Sequence, residues 1–376
     1  MHDLPQIENY QQLFLQKTPL MDMRAPVEFL QGAFPNALNL PLMTDEERQK
    51  VGLQYKEQGQ DKAIELGHKL VSGAVKDARI SDWVEFVEQN PEGALYCFRG
   101  GLRSRISQQW IYDNTGIAYP RVKGGYKALR RFLIDELTVS ANEISPLILS
   151  GRTGIGKTIL LNRIQQQIDL EGIFHHRGSV FGKHADPQPS QIDIENNLSI
   201  ALLKMRNTQV ENKNVTNIVF EDEGVSIGSR RIPDVLFDRM KESPLIILEA
   251  SVDERVEITF NEYIDESLAE YQTFLGEDEG FHAWSESLQN SLERIQRRLG
   301  GVRYKEYKLI MDEAIKEQLS TGESSLHKSW IKNLLTEYYD PMYDYQLSLK
   351  KSRKIFQGDQ QAVLEFLVQK QGICLM

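Results

Sequence analysis

Short apolar runs alternate with longer, charged stretches from the start of the chain to about residue 137, which indicates an α/β unit. The predicted strands lie at residues 20–23, 37–40 and 94–96. The last strand runs directly into Cys97, and we predict a helix that begins near Ser104. Residues 44–89 are predicted to be helical, with turn signals only near Gly52, Gly59 and Gly73.

A second α/β pattern follows the first. An apolar strand at 146–150 leads into a glycine-rich turn and a predicted helix at 157–168, and further strands are expected at 218–220 and 245–248. Strands that alternate with helices imply a parallel sheet covered on both faces. From about residue 253 the chain consists of long charged runs, broken mainly at Gly300-Gly301, Gly322 and Pro341, and is predicted to be helical. The predicted domains are therefore two α/β domains at 12–137 and 144–252 and a helical region at 253–376.

The composition is that of a globular protein, with 40% hydrophobic and 26% charged residues. No run approaches the roughly 18 apolar residues of a membrane helix, and the first residues resemble no export signal, so we expect a cytoplasmic protein that binds no membrane. The formal net charge of −10 predicts no general affinity for nucleic acid, so a polyanion would need a local basic patch. Cys97 and Cys374 are too few for a disulfide framework.

A candidate reactive-cysteine loop follows the third predicted strand and reads Cys97-Phe98-Arg99-Gly100-Gly101-Leu102-Arg103-Ser104. A turn between a strand and a helix points successive backbone N–H groups into one concavity, which binds anions and favours the thiolate form of a cysteine. The two glycines permit the tight curl, and the guanidinium of Arg103 suits an oxyanion. The alternative is that Cys97 is only a small buried apolar residue.

A candidate phosphate-binding loop opens the second domain and reads Gly151-Arg152-Thr153-Gly154-Ile155-Gly156-Lys157-Thr158. It fits the P-loop pattern G-x-x-x-x-G-K-[ST] without exception, between a strand and a helix. Its backbone amides would wrap a diphosphate, Lys157 would pair with the outer oxygens, and Thr158 could hold Mg²⁺. The alternative is a glycine-rich turn that binds nothing.

A partner carboxylate for this loop is expected after the strand at 218–220, where Glu221-Asp222-Glu223 follows. Asp222 or Glu221 could position Mg²⁺, and we predict Thr158 and Asp222 as its ligands. An exposed acidic turn is the alternative. His175 and His176 have too few further ligands nearby in the sequence to predict a metal site, and we interpret them as surface histidines.

Residues 21–41, Met-Asp-Met-Arg-Ala-Pro-Val-Glu-Phe-Leu-Gln-Gly-Ala-Phe-Pro-Asn-Ala-Leu-Asn-Leu-Pro, are similar to the signature segment of the rhodanese family. The resemblance implies a rhodanese-like α/β fold for the first domain and a cysteine that carries sulfur or selenium. The usual rhodanese loop is C-x-x-G-x-R, whereas this loop is one residue longer, C-x-x-G-x-x-R. The longer form also occurs in cysteine phosphatases, which usually have His where this chain has Tyr96. A larger cradle suits selenophosphate or a phosphoester.

The two loops, together with His-Arg-Gly-Ser-Val-Phe-Gly at 176–182 and Glu-Asp-Glu at 221–223, resemble the tRNA 2-selenouridine synthase family nearly end to end. The resemblance implies a P-loop NTPase-like parallel α/β domain after the rhodanese-like one. It implies a transferase that replaces the sulfur of wobble 2-thiouridine in tRNA by selenium from selenophosphate, through an S-geranylated intermediate made from geranyl diphosphate. Cys97 would then serve selenium transfer, Arg99 and Arg103 would hold selenophosphate, and Gly151 to Thr158 would hold geranyl diphosphate. No tightly bound cofactor is expected, and Mg²⁺ could bind together with the diphosphate.

An acidic chain that binds tRNA must concentrate its phosphate contacts. The residues predicted for this role are Arg294, Arg297, Arg298, Arg303, Lys305 and Lys308, with Tyr304 and Tyr307 to stack on bases. Taken without the resemblance, such a run is a solvated helix face. Two other functions stay open: a rhodanese-fold cysteine phosphatase or sulfurtransferase coupled to a P-loop kinase or ATPase, and a non-enzymatic ATP-gated regulator.

Overall fold

Fourteen short strands and seventeen α-helices alternate along residues 3–210, 213–214 and 217–376, the part of the chain that the computed structural model describes. The strands are β1 Gln6–Ile7, β2 Leu20–Asp22, β3 Ala37–Asn39, β4 Ala94–Tyr96, β5 Arg121–Val122, β6 Ser145–Ser150, β7 Gln167–Ile168, β8 Gln209–Val210, β9 Lys213–Asn214, β10 Asn217–Glu221, β11 Ser226–Ile227, β12 Arg230–Arg231, β13 Leu245–Leu248 and β14 Lys354–Gly358. The helices are α1 Tyr10–Leu15, α2 Pro26–Leu30, α3 Asp45–Leu70, α4 Gly73–Gln89, α5 Leu102–Thr115, α6 Gly125–Glu143, α7 Lys157–Leu161, α8 Leu170–Phe174, α9 Gln191–Asn207, α10 Asp234–Glu242, α11 Val252–Phe260, α12 Ser267–Leu275, α13 Glu277–Leu299, α14 Gly301–Thr321, α15 His327–Leu334, α16 Asp340–Leu349 and α17 Gln360–Gln371. Two π-helical turns, Asn261–Glu266 and Leu335–Tyr339, and one 3-10 turn, Lys351–Arg353, interrupt the later helices.

Contacts divide the chain into two units, and unit 1 comprises Met1–Ser140 and Ser190–Lys204. It is built on a parallel sheet of five strands in the order β1-β5-β4-β2-β3. Every side chain of β2 and β4 is buried, as expected for central strands covered on both faces. The three strands predicted in this region are confirmed to within a residue. Helix α5 begins at Leu102, two residues before the predicted start.

The helical prediction for residues 44–89 is confirmed by α3 and α4. Helix α3 begins with a capping box, in which the Thr44 hydroxyl accepts from the backbone of Glu47 and the Glu47 carboxylate accepts from the backbone of Thr44. Gly59 interrupts α3 with a φ of +83°, and the left-handed Gly73 opens α4 with a φ of +54°. Gly52, by contrast, lies inside α3.

Unit 2 comprises Ala141–Pro189 and Met205–Met376, and its parallel sheet has the order β14-β13-β6-β10-β7. The strands predicted at 146–150, 218–220 and 245–248 are confirmed as β6, β10 and β13. The predicted helix at 157–168 is wrong beyond Leu161, because Gln167 and Ile168 form β7 and pair with Val219 and Phe220 of β10. Tertiary pairing with a buried strand overrides the local helical pattern there.

The region after residue 253 is mostly helical, as predicted, and its apolar core contains the fully buried Trp284 and Trp330. Helices end at Gly300 and Gly322 as predicted. The predicted break at Pro341 is wrong, because Pro341 lies in the first turn of α16, where no backbone N–H is needed, directly after a π turn. One strand, β14, is an addition to the predicted helices, and it completes the sheet beside β13. No helix among the described residues has the length and apolar character needed to cross a membrane.

Candidate functional site

The cysteine loop of unit 1 leaves the carboxyl end of β4 and closes at the first turn of α5. Cys97 is 2% exposed, and its thiol donates a hydrogen bond to the Ser104 hydroxyl at 3.2 Å, which donates to the carbonyl of Gly101 at 3.0 Å. Gly100 has a φ of +62°, and a Cβ there would lie 2.7 Å from the backbone nitrogen of Gly124. The loop is therefore tightly closed, and the thiol lies at the predicted place between strand and helix but is covered.

The two arginines of the loop have different surroundings. Arg103 forms two hydrogen bonds with the Glu28 carboxylate at 2.7 and 3.2 Å, and Arg48 contacts the same carboxylate at 3.1 Å. Burial alone would raise the pKa of Glu28, but Arg103, then the backbone N–H of Ala25 and then Arg48 outweigh burial and hold that pKa below its usual range. Arg99 is exposed and forms no ion pair with any described residue. Arg99 is therefore the loop arginine that is available to an anion in this structure.

Residues of the segment 21–41 support the cysteine loop. Arg24 and Asp22 form a fully buried ion pair at 2.7 Å, and the Tyr96 hydroxyl donates to Asp22 at 2.7 Å. The guanidinium of Arg24 lies 3.8 Å from the ring centre of Tyr126, whose backbone N–H donates to the carbonyl of Cys97 at 2.9 Å. Removing one member would leave a buried charge or hydroxyl unpaired, so the pair and its two tyrosines hold β2 and β4 in one arrangement.

The P-loop of unit 2 leaves the carboxyl end of β6 and opens α7, as predicted. Gly154 and Gly156 have φ values of +71° and +80°, in the left-handed region. A Cβ on Gly154 would also lie 2.1 Å from the hydroxyl oxygen of Thr259, so both conformation and space require glycine there. The loop lines a cavity of about 150 Å³, which suits a group of the size of a diphosphate.

Two arginine contacts hold the P-loop backbone and its edge. Arg255 is 1% exposed, donates to the carbonyl of Thr153 at 3.0 Å and pairs with Asp340 at 2.6 Å. Arg152, a predicted diphosphate ligand, is paired with Asp344 at 2.7 Å instead of facing the cavity, and it does not line the cavity. The cradle is therefore made by the residues from Thr153 to Thr158.

The carboxylate beside the P-loop hydroxyl is that of Glu221. The Thr158 hydroxyl donates to Glu221 Oε1 at 3.0 Å, whereas Asp222, the predicted metal ligand, lies between Lys350 at 2.6 Å and the Ser150 hydroxyl at 2.5 Å. The reason is the two-residue alternation of a strand, which directs the side chains of neighbouring residues to opposite faces of β10 and its end. Thr158 and Glu221 are the oxygen donors that fit Mg²⁺ here.

Four glutamates, Glu171, Glu221, Glu223 and Glu262, surround Lys157. Burial raises the pKa of Glu223 to about 8. Burial also raises the pKa of Glu171, with a further contribution from Glu262, and burial followed by the charge of Glu171 raises the pKa of Glu221. Burial alone would lower the pKa of Lys157, but Tyr343 and these glutamates raise it above its ordinary value, so its ammonium is charged. An anion in this cavity therefore needs protons or a cation on the carboxyl groups.

The wall opposite the P-loop comes from segments that the sequence analysis did not single out. The π turn Asn261–Glu266 contributes Glu262 to the cavity lining, and the π turn Leu335–Tyr339 contributes Tyr338 and Tyr339. Such turns are frequent at functional sites, but no sequence period marks them. Arg177 also lines the cavity; one of its nitrogens donates to Glu270 at 2.9 Å, and Nη1 is buried without a partner among the described residues.

Comparison with known proteins shows to which family the chain belongs. The family described as the tRNA 2-selenouridine synthase AAA domain matches residues 144–373. A Marinobacter nauticus protein named tRNA 2-selenouridine synthase is 51% identical over 362 residues, which cover 96% of this chain and 97% of that protein. Proteins of the same name from a Sulfurovum species and from Pseudomonas syringae are 47% and 50% identical, and the matches cover 98% and 96% of this chain and 99% and 96% of those proteins. The chain belongs to the tRNA 2-selenouridine synthase family.

The predicted RNA-binding residues of this tRNA 2-selenouridine synthase family member lie on α13 and α14. Two of those on α14 already have acidic partners: Arg303 contacts Glu337 at 3.0 Å, and Lys308 contacts Asp312 at 2.7 Å. The stacking role predicted for Tyr307 is wrong, because this side chain is 1% exposed and donates to Glu337 at 2.9 Å. The residues on α13, Arg294, Arg297 and Arg298, are exposed and have no ion pair with a described residue.

His175 has more potential metal-ligating neighbours in the structure than the sequence indicated. His175 stacks on His184 with ring centres 4.0 Å apart, and a ligand atom of each lies within 4.8 Å of a Glu270 carboxylate oxygen. His184 is hydrogen-bonded to Glu270 at 2.9 Å and His175 to Asp186 at 2.5 Å. The group could hold a cation, but one nitrogen of each imidazole is already hydrogen-bonded to a carboxylate.

Proposed function

We propose that this protein converts 2-thiouridine at the wobble position of tRNA to 2-selenouridine, through an S-geranylated intermediate, with geranyl diphosphate and selenophosphate as co-substrates. The observation that carries the proposal is the match of about 50% identity, over nearly the whole chain, to proteins named tRNA 2-selenouridine synthase. The P-loop cavity and the thiol of the cysteine loop support the proposal, because the cavity suits a diphosphate and a thiol can carry selenium.

In the first step, the sulfur of 2-thiouridine attacks the first carbon of the geranyl group. The carbon–oxygen bond to the diphosphate breaks, the diphosphate leaves with the electron pair, and the N3 proton of the base passes to solvent water. Lys157 and the P-loop amides stabilise the negative charge that develops on it, a contribution that is largest in a cavity from which water is excluded. Thr158 and Glu221 would hold Mg²⁺, which neutralises diphosphate charge when it is bound.

In the second step, selenium from selenophosphate attacks the ring carbon that bears the sulfur, and the geranylated sulfur leaves as a thiolate. Water then attacks the phosphorus, the selenium–phosphorus bond breaks, and inorganic phosphate is released. We assign Cys97 to selenium transfer and Arg99 to selenophosphate binding. Arg103 can contact selenophosphate only when its ion pair with Glu28 opens, so we propose that this pair closes the loop in the resting enzyme. The geranylated sulfur is displaced more readily than the original sulfur because it leaves as a thiolate from a carbon–sulfur single bond, whereas the sulfur of the C=S group would have to leave as sulfide.

The test is mass spectrometry of nucleosides from 2-thiouridine tRNA incubated with the purified protein and both co-substrates. Cys97→Ala should block selenium incorporation and spare geranylation, and Cys374→Ala, at the second cysteine, is the matched control. Lys157→Ala should lower the rate of geranylation by about 10²- to 10³-fold, the usual cost of one transition-state charge contact. Selenium incorporation by Cys97→Ala would contradict the assignment. Cysteine-dependent release of phosphate from an aryl phosphate, with unmodified tRNA, would favour a phosphatase instead.

A further inference from the structure

We infer that the single-stranded part of the tRNA substrate lies in a basic cleft of unit 2, defined by Lys183, Arg230, Arg294 and Arg298, directly beside the P-loop cavity. This inference rests on the proposed function, because it identifies where the RNA that receives the geranyl group is held. It replaces the six-residue patch on α13 and α14 by a set that includes only two of those residues.

The basic cleft is a cavity of about 790 Å³. Arg294 and Arg298 are four residues apart and therefore lie on one face of α13, while Lys183 comes from the loop after α8 and Arg230 from the β11–β12 hairpin. Three elements that are distant in sequence thus contribute positive charge to one concavity. A solvated helix face would place its charges on a single element.

The basic cleft adjoins the P-loop cavity. Gly178, Ser179, Val180 and Arg298 line both of them. A chain that lies in the cleft can therefore present one base to the P-loop cavity while its phosphates remain on the arginines. The cleft has roughly five times the volume of the P-loop cavity, 790 against 150 Å³, so a diphosphate alone would leave most of it unfilled.

The charge of the cleft is opposite to that of the whole protein. The chain has a formal net charge of −10, yet Asp186, the one carboxylate among the described residues that line the cleft, is hydrogen-bonded to His175 at 2.5 Å. Lys183, Arg294 and Arg298 have no ion pair with a described residue, whereas Arg303 and Lys308 have acidic partners. Cations without acidic partners keep their full attraction for phosphates, and their counterion release makes RNA binding salt-dependent.

The experiment measures binding of a 2-thiouridine anticodon stem-loop to the full-length protein by fluorescence anisotropy between 50 and 200 mM salt. The double variant Lys183→Ala/Arg294→Ala removes two proposed phosphate contacts, and neither residue lines the P-loop cavity. The slope of log affinity against log salt should fall by about 1.4, because each single-strand contact contributes about 0.7. When the salt concentration rises fourfold, from 50 to 200 mM, the double variant should therefore lose about sevenfold less affinity than the wild type loses. Geranyl diphosphate binding should stay unchanged.

The matched control is Lys241→Ala/Lys370→Ala, which removes the same charge from two exposed lysines outside the cleft and should keep the wild-type slope. A wild-type slope in Lys183→Ala/Arg294→Ala would overturn the cleft while leaving the proposed function intact. A fall in slope seen instead in Arg297→Ala/Lys305→Ala would place the RNA outside the cleft and also overturn it. Failure of the wild-type protein to bind the stem-loop would contradict the proposed function itself.

Discussion

The lowered pKa of the buried His327 side chain should make the free energy of unfolding fall as the pH drops below 6.5. The side chain is fully buried; its Nδ1 accepts a hydrogen bond from the Trp330 indole at 2.9 Å, and its Nε2 has no partner among the described residues. Burial lowers the pKa of His327 from 6.5 to about 4. Between pH 6.5 and pH 4 the unfolded chain binds a proton at this histidine and the folded chain does not. The contribution of His327 to the free energy of unfolding is therefore complete above pH 6.5 and is lost as the pH falls towards 4.

Between pH 7 and pH 5 this single group should lower the free energy of unfolding by about 2 kcal/mol, from the difference of about 2.5 pKa units between the unfolded and folded states. The assay is urea unfolding at both pH values for the wild type and for His327→Asn, whose side-chain oxygen can still accept from the Trp330 indole. The wild type should lose about 2 kcal/mol more than the variant, since all other titrating groups cancel. The exposed His282→Asn should behave as the wild type. Equal losses in wild type and His327→Asn would refute the reasoning.

Three further outcomes are expected. Arg255→Leu leaves a buried carboxylate and a P-loop carbonyl without their partner, so the free energy of unfolding should fall by about 3–5 kcal/mol; an unchanged urea midpoint would contradict this. Gly154→Ala places a methyl group 2.1 Å from a threonine hydroxyl at a left-handed position, so calorimetry should show geranyl diphosphate binding weakened at least about tenfold, and wild-type affinity would rule out the proposed cradle. Glu28→Gln removes the negative charge that holds Arg103, so alkylation of Cys97 at neutral pH should become several-fold faster; a rate equal to that of the wild type would show that the pair does not close the loop.

Local chemistry explains why much of the fold was predictable. Strands β2, β4, β6, β10 and β13 are short apolar runs bounded by turns, and burial on both faces of a parallel sheet requires that pattern. The P-loop was predictable because Gly154 and Gly156 need left-handed backbone conformations that other residues rarely adopt. The β7 segment was not predictable, because its pairing with β10, about fifty residues later, decides its conformation.

Sequence patterns could not predict which residues are the partners of the site residues. Arg103 meets Glu28 across 75 residues of sequence, Asp222 meets Lys350 across 128, and Arg152 meets Asp344 across 192. In each case the sequence indicated a charged side chain near a loop, and the packed structure decided whether that charge faces a cavity or a counter-charge. Tyr307 is a similar case, since its helix could have turned either face to solvent.

Sequence patterns were sufficient to predict the two parallel α/β sheets, the cysteine at one strand end and the phosphate-binding loop at another. These depend on hydrophobic period, glycine conformations and the residue types in two short segments, all of which are local. Three features became visible only in the folded chain. Glu221 lies beside Thr158, two π turns line the P-loop cavity, and three segments distant in sequence form the basic cleft. Ion pairs, burial and hydrogen bonds depend on distances in space. The separation of two residues along the chain therefore does not predict whether their side chains become neighbours.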